Sequence, residues 1–470
     1  MPRLFRPVMI SLIMPLLILA VAAQPAAAGS SPAAVQYEYQ PIPVGGDGPG
    51  PTSGQSPGGS ELAGSGVPLL LIAAVVLVLA GFGFAVWIHR RGDGKGFEIP
   101  RATVPLALAG AVLIAALSLG ASGTTAAPGP KAPKGFIGIA PQEGFDADDT
   151  SKMAQGGIGS IRVPVSWDQV QPNGGGSFNW GLLDEAVKAG AVNNLPVLPV
   201  LYATPGWVAK KTTTLPGTAS QLAAWRNFVA AAVQRYGKNG SFWDDPFWDE
   251  PEQAFSLKPP IREWQIWNEV NFFYFSNPVS AKKYSKVLKS ASDVIRANDP
   301  GAKVMVSGLF GRPKGPKKKA VAAPAFIRQL GRYVKPRYID SIALHPYSPG
   351  TGALKRLIAD YRRAANSAGY KRKPINVTEI GWGSGKPASN AFLSGNQKKQ
   401  AAQLTSALNF LIKNRKKYKI DSAYWFSWKD TDPNGQNCNF CYTIGLFRYA
   451  PGLKQKKAWP ALVKLTGGQV

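Results

Sequence analysis

The chain has 470 residues, 45% of them hydrophobic, enough to bury a large core. Lys and Arg number 54 against 27 Asp and Glu, a net charge of +27 with a pI near 10.0, which favours anionic partners such as acidic polysaccharide, cell-wall polyanion or lipid headgroups. No recognition motif for nucleic acid accompanies that charge. Two cysteines are too few for a disulfide-dependent scaffold and two histidines too few for a His-rich metal site.

Residues 1–28 carry Arg3 and Arg6, an apolar run and then Ala26-Ala27-Ala28, the three parts of a secretory signal peptide. Residues 29–66 are dense in Pro, Gly and Ser and read as a disordered linker. Residues 67–88 are almost unbroken apolar sequence, roughly 33 Å long as a helix, and residues 103–120 form a second, shorter run; both are expected as transmembrane helices. The loop between them, 89–102, holds Arg90, Arg91, Lys95 and Arg101 and is expected in the cytoplasm by the positive-inside rule. Both flanks then lie outside the cell. Residues 121–134, rich in Ala, Pro and Gly, make a second linker.

From residue 135 to 470 the texture changes to apolar strands alternating with amphipathic helices, the pattern of a parallel α/β fold. Strands are expected at 135–140, 160–165, 196–202, 261–267, 303–309, 341–345, 374–379 and 422–427. Helices are expected at 180–190, 220–236, 281–298, 325–335, 354–368 and 396–413. Eight strands in a stretch of this length fit a (β/α)₈ TIM barrel. A doubly wound sheet fits less well, because no Gly-rich phosphate loop opens a helix after a strand.

Two strands end in carboxylates. Trp264-Gln265-Ile266-Trp267-Asn268-Glu269 is an apolar strand that stops in an Asn-Glu pair, and Pro374-Ile375-Asn376-Val377-Thr378-Glu379 is built the same way. A barrel delivers catalytic groups at the C-terminal ends of its strands, and two such carboxylates can converge on one sugar ring, as retaining glycoside hydrolysis requires. One must stay ionised to attack; the other must keep a proton for the leaving oxygen. That chemistry needs neither a metal nor a cofactor. Aromatic faces at Trp167, Trp207, Phe272, Tyr274, Trp425 and Trp428 suit the apolar faces of pyranose rings.

Trp267-Asn268-Glu269 and Thr378-Glu379 resemble the fourth- and seventh-strand ends of clan A retaining glycoside hydrolases, nearest family 39 and then family 5. The resemblance covers roughly residues 135–470 and implies Glu269 as acid/base and Glu379 as nucleophile. It further implies that Arg162 in Ser160-Ile161-Arg162-Val163-Pro164 supports the nucleophile, and that Tyr347 of His345-Pro346-Tyr347 hydrogen-bonds it. Asn268, His345 and Trp207 join the expected substrate-binding set, with Trp425 or Trp428 as the eighth-strand sugar platform. Val200-Leu201-Tyr202-Ala203-Thr204 lacks the third-strand histidine usual in family 5.

The expected function is therefore a membrane-anchored, outward-facing glycosidase acting on a polysaccharide or oligosaccharide, with an anionic one among the candidates. A transglycosylase on the same fold and a barrel that binds polysaccharide without cutting it are the alternatives. The basic runs 312–319 and 413–419 read as solvated surface. Cys438-Asn439-Phe440-Cys441, outside the cell and with no second ligand pair, reads as a local disulfide pinning the loop after the eighth strand.

Overall fold

Strand alternates with helix eight times along the C-terminal part of the chain, in a computed structural model that describes residues 132–316, 319–385, 395–434, 441–450 and 452–470. The order is β1 (Ile137–Ile139), α1 (Ala147–Gln155), β2 (Ile161–Ser166), α2 (Gly181–Val192), β3 (Val197–Tyr202), α3 (Ala219–Tyr236), β4 (Glu263–Asn268) and α4 (Ala281–Asn298). The second half continues β5 (Lys303–Phe310), α5 (Ala323–Gly331), β6 (Ser341–His345), α6 (Thr351–Ser367), β7 (Ile375–Ile380), α7 (Gln397–Tyr418), β8 (Ile420–Trp425) and α8 (Ala458–Thr466). All strands are parallel, each pairs with the next, and β8 returns to β1 to close a barrel. Closure removes the doubly wound alternative.

Each strand lies within two residues of its expected ends: VLPVLY is apolar along its length and INVTEI sets apolar residues between polar ones, both being buried on both faces almost throughout. Two helices were not expected. Helix α1 is mostly polar, and its start is fixed by a capping box in which Asp146 accepts from Asp149 N and Asp149 accepts from Asp146 N. Helix α8 buries Trp459, Leu462 and Val463, and Leu465 O accepts from Ala132 N, so the end of the chain meets the entry to β1. Helix α3 also begins in a capping box, Thr218 with Gln221, and α7 at an Asn396 cap.

The barrel interior is polar. Arg162 Nε donates to Gln265 Oε1, Tyr424 OH accepts from Ser160 Oγ, and Ser422 Oγ donates to Asn376 Oδ1. Such groups are tolerated inside only when hydrogen-bonded, and they floor the site above them. The expected signal peptide (1–28), linker (29–66), apolar spans (67–88 and 103–120) and basic loop (89–102) lie outside the described residues, as does all but the end of the second linker (121–134). No helix among the described residues is long and apolar enough to cross a membrane.

Candidate active site

The chain leaves β4 in an unusual backbone path. Trp267 has φ +70° and Glu269 φ +36°, left-handed values that cost a non-glycine residue of order 1–3 kcal/mol and persist only when neighbours hold them. Neighbours do hold them. Glu269 N donates to Gly308 O, Val270 N to Ser307 Oγ, and Trp267 Nε1 to Phe275 O. From α4, Tyr284 OH donates to Ile266 O and accepts from Ser307 N, tying β4 to β5 under the turn.

This path aims Glu269 at Glu379, which ends β7. One donor atom from each of Glu269, His345 and Glu379 lies within 4.8 Å of the others, and all three side chains are buried. The two carboxylates differ in their partners. Glu379 accepts from Arg162 Nη1 at 2.7 Å on Oε1 and from Tyr347 OH at 2.9 Å on Oε2. Glu269 Oε1 sits 2.8 Å from His345 Nδ1, and His345 Nε2 is 3.0 Å from Thr378 Oγ1. Arg162 also donates from Nε to Gln265 Oε1 and, at 2.9 Å, from Nη2 to Asn268 Oδ1. That contact fixes the Asn268 amide with its oxygen toward Arg162 and its nitrogen free to donate.

Burial raises the pKa of both carboxyls, but unequally. Burial and then the charge of Glu379 push Glu269 well above the usual carboxylate range, outweighing Arg162. Burial also raises Glu379, yet Arg162 and the Tyr347 hydroxyl oppose it by stabilising its ionised form. His345 is pushed well below its ordinary value by burial and by Arg162, so the ring is neutral. Of the two neighbouring carboxyls, Glu269 therefore holds its proton the more firmly.

Six expected side chains therefore meet at one point: Glu269, Glu379, Arg162, Asn268, His345 and Tyr347. No family model matches the sequence, and no curated protein does. Among solved structures, a family 39 glycoside hydrolase from the gut symbiont Bacteroides cellulosilyticus WH2 aligns at 19% identity with a TM-score of 0.52, over 72% of this chain and 64% of that one. A glucosidase from Croceicoccus marinus aligns at 14% identity and TM-score 0.51, over 72% and 68%. This chain has the fold of a family 39 glycoside hydrolase. It spans a little under two thirds of that enzyme's length.

The tryptophans need correction. Along β8, Tyr424 turns inward to Ser160, so Trp425 turns outward into the helix layer, where it is fully buried against Trp382. Trp428 is buried too, with Nε1 bonded to Asp149 Oδ1 and its ring packed on Phe447 and Trp459. Neither offers a face to a sugar. Phe426, next along the strand, lines the pocket of Glu379 with Gln142, Arg162, Tyr202 and Asn268. With Tyr424 turned inward, alternation along the chain brings Phe426 to the same side. Trp207, on the loop after β3, stands 43% exposed with its edge on Trp167 and Nε1 bonded to Gln171 O.

Gln265, Thr378 and Gly308 also escaped the sequence reading. Gly308 makes room for His345: a Cβ there would fall 2.1 Å from His345 Nε2 and 2.7 Å from Thr378 Oγ1. Glu269, His345 and Glu379 have the donor types of a metal site. Arg162 on Glu379 opposes a cation, however, and the donor set suits proton handling better. Cys441 is buried and disulfide-bonded, and Cys438 lies outside the described residues.

Proposed function

We propose that the protein is a retaining glycoside hydrolase, anchored in a membrane by residues 67–120 with its barrel outside the cell. One observation carries the enzymatic reading: Glu269 and Glu379 approach within 4.8 Å, and burial beside Glu379 favours the proton on Glu269 while Arg162 and Tyr347 favour the charge on Glu379. Inverting enzymes hold their carboxyls roughly 6.5–9.5 Å apart to admit a water, and retaining ones about 5–5.5 Å apart.

In the first step Glu379 attacks the anomeric carbon while Glu269 gives its proton to the departing oxygen, leaving a glycosyl ester on Glu379. In the second, Glu269 takes a proton from water as that water attacks the anomeric carbon, and Glu379 leaves as the carboxylate. Asn268 donates to a sugar hydroxyl beside the reacting carbon, a bond that strengthens in the transition state. The pocket between Gln142, Tyr202 and Phe426 is narrow, about 20 Å³. Two larger clefts, about 330 and 470 Å³, lie elsewhere and bear no paired carboxylates. Volume is the poorer guide here.

Azide tests the roles. Glu379→Ala loses nearly all activity, and azide restores turnover with inverted configuration. Glu269→Ala still forms the ester from an activated aryl glycoside, because a good leaving group needs no proton, and azide releases it with retention. Exchange of these two outcomes swaps the assignments, and an inverted wild-type product ends the retaining mechanism. For topology, protease added to intact cells removes the barrel; protection until lysis reverses the orientation.

A further inference from the structure

The positive charge is not spread over the chain. From residue 271 onward there are 36 Lys and Arg against 8 Asp and Glu, and up to residue 270 there are 18 against 19. Because the strands follow one another around the barrel in sequence order, this division is, from residue 132 on, also a division of the barrel, with 11 Lys and Arg against 14 Asp and Glu in residues 132–270. One side, β1–β4 with α1–α3, is close to neutral. The other, β5–β8 with α4–α8, carries the whole excess. Lys286 of α4, Arg328 of α5, Lys355 and Arg363 of α6, and Lys413 and Lys416 of α7 are all exposed. The acids on that side are largely engaged: Asp299 with Arg262, Asp340 with Arg296, Asp360 with Arg312 and Asp430 with Lys456. Like charges this dense lie within a Debye length, about 10 Å at 0.1 M salt, so their potentials add.

Within this side is a cleft of about 470 Å³ between α5 and α6, lined by Arg312, Arg328 and Arg363 over a floor of Ala322, Pro324 and Ala364. Asp360 is its one acid; it bonds Arg312 at 2.6 Å and also Arg363. Arg328 makes no ion pair among the described residues. Three guanidinium forks against one carboxylate leave the cleft set to take acidic groups in bidentate fashion. Arg312 comes two residues after β5, and Gly311 N between them donates to the backbone O of His345, the last residue of β6. Arg312 therefore puts one end of the cleft near the C-terminal ends of β5 and β6.

We infer that the β5–β8 side is a docking surface for a polyanionic, carboxylate-bearing polysaccharide, gripped in the Arg312–Arg328–Arg363 cleft. The choice of a polysaccharide rests on the glycosidase reading, with Arg312 near the strand ends from which Glu269 and Glu379 act. No aromatic side chain lines the cleft to stack a nucleobase, and a flat bilayer surface does not enter a groove between two helices.

Affinity of the purified full-length protein for polygalacturonate tests this, beside the fully methyl-esterified polymer, duplex DNA and phosphatidylglycerol vesicles. Polygalacturonate binds, at least roughly tenfold more weakly at 200 than at 50 mM salt, as ion-paired polyanions do. The methyl ester does not bind. Arg312→Gln/Arg328→Gln/Arg363→Gln weakens binding about tenfold or more, whereas Lys188→Gln/Arg226→Gln/Lys238→Gln, equal in charge on the other side, leaves it within about twofold. Arg328→Gln alone breaks no ion pair, and loses part of the affinity even if the triple variant does not fold. Equal binding of the ester, or an equal loss in both triple variants, overturns the proposal. So does tighter binding of DNA or vesicles that the arginine substitutions abolish. Binding is read without turnover: a protein that holds the polymer but hydrolyses no glycoside refutes the enzyme and keeps the surface, and the reverse result keeps only the enzyme.

Discussion

Replacing Tyr347 with Phe removes one hydroxyl and little else. The ring stays packed against Phe310 and Phe426, and Arg162 still holds the other oxygen of Glu379. What goes is the 2.9 Å bond from the hydroxyl to Glu379 Oε2. A hydrogen bond to a charged group contributes about 1.5–3 kcal/mol, and 1.36 kcal/mol corresponds to one pH unit, so ionisation of Glu379 moves up by about one to two units. The proposed reaction needs Glu379 ionised and Glu269 protonated. Activity plotted against pH therefore rises as Glu379 loses its proton and falls as Glu269 loses its own. In the variant the acid limb of kcat/KM moves toward neutral pH. The Tyr347 hydroxyl bonds Glu379, and Glu269 is held by His345, so the alkaline limb stays and the bell narrows. The assay is kcat/KM for an aryl glycoside from pH 3 to 10. Displacement of the alkaline limb alone, or no displacement at all, would refute the division of labour between the two glutamates.

Glu269→Gln tests the same burial through stability. An unfolded Glu ionises near pH 4.3 while the folded one resists, so ionisation favours the unfolded chain above that pH. The variant melts higher than wild type at pH 8 and alike below pH 4; equal melting at pH 8 removes the burial argument. Gly308→Ala drives a methyl into His345 and Thr378 and should cut kcat by more than it raises KM; wild-type kinetics would mean that the ring does not matter. Trp428→Ala should cost about 3–5 kcal/mol in denaturant unfolding, as for other buried tryptophans, with KM unchanged in the folded fraction. Trp207→Ala should do the opposite, raising KM with stability nearly intact, and the reverse pattern would return Trp428 to the sugar.

Much of this was legible in the chain because strand ends in a barrel are written locally. An apolar run broken by Asn268-Glu269 or Thr378-Glu379 marks both the strand and the mouth, and His345 and Tyr347 stand at and just past the end of β6, whereas Arg162 is the second residue of β2 and reaches the site through its long side chain. What stayed hidden depended on direction, not position. A tryptophan at the end of β8 is equally conspicuous facing in or out, and only the inward turn of Tyr424 shows that Trp425 faces the helices and Phe426 the pocket. His345 is a similar case. Its place after β6 could be read, but its bond to Glu269, rather than to Glu379, depends on the left-handed turn at Trp267 and Glu269 and on the missing side chain at Gly308. Neither leaves a trace in hydrophobic pattern, since both are set by contacts between strands distant in sequence. The same physics explains why charge was easier to count than to place. The excess of Lys and Arg is visible in composition, yet it becomes a surface only once the barrel closes in sequence order and gathers β5–β8 on one side. Arg312, Arg328 and Arg363 lie far apart along the chain, and α5 and α6 bring them to one cleft.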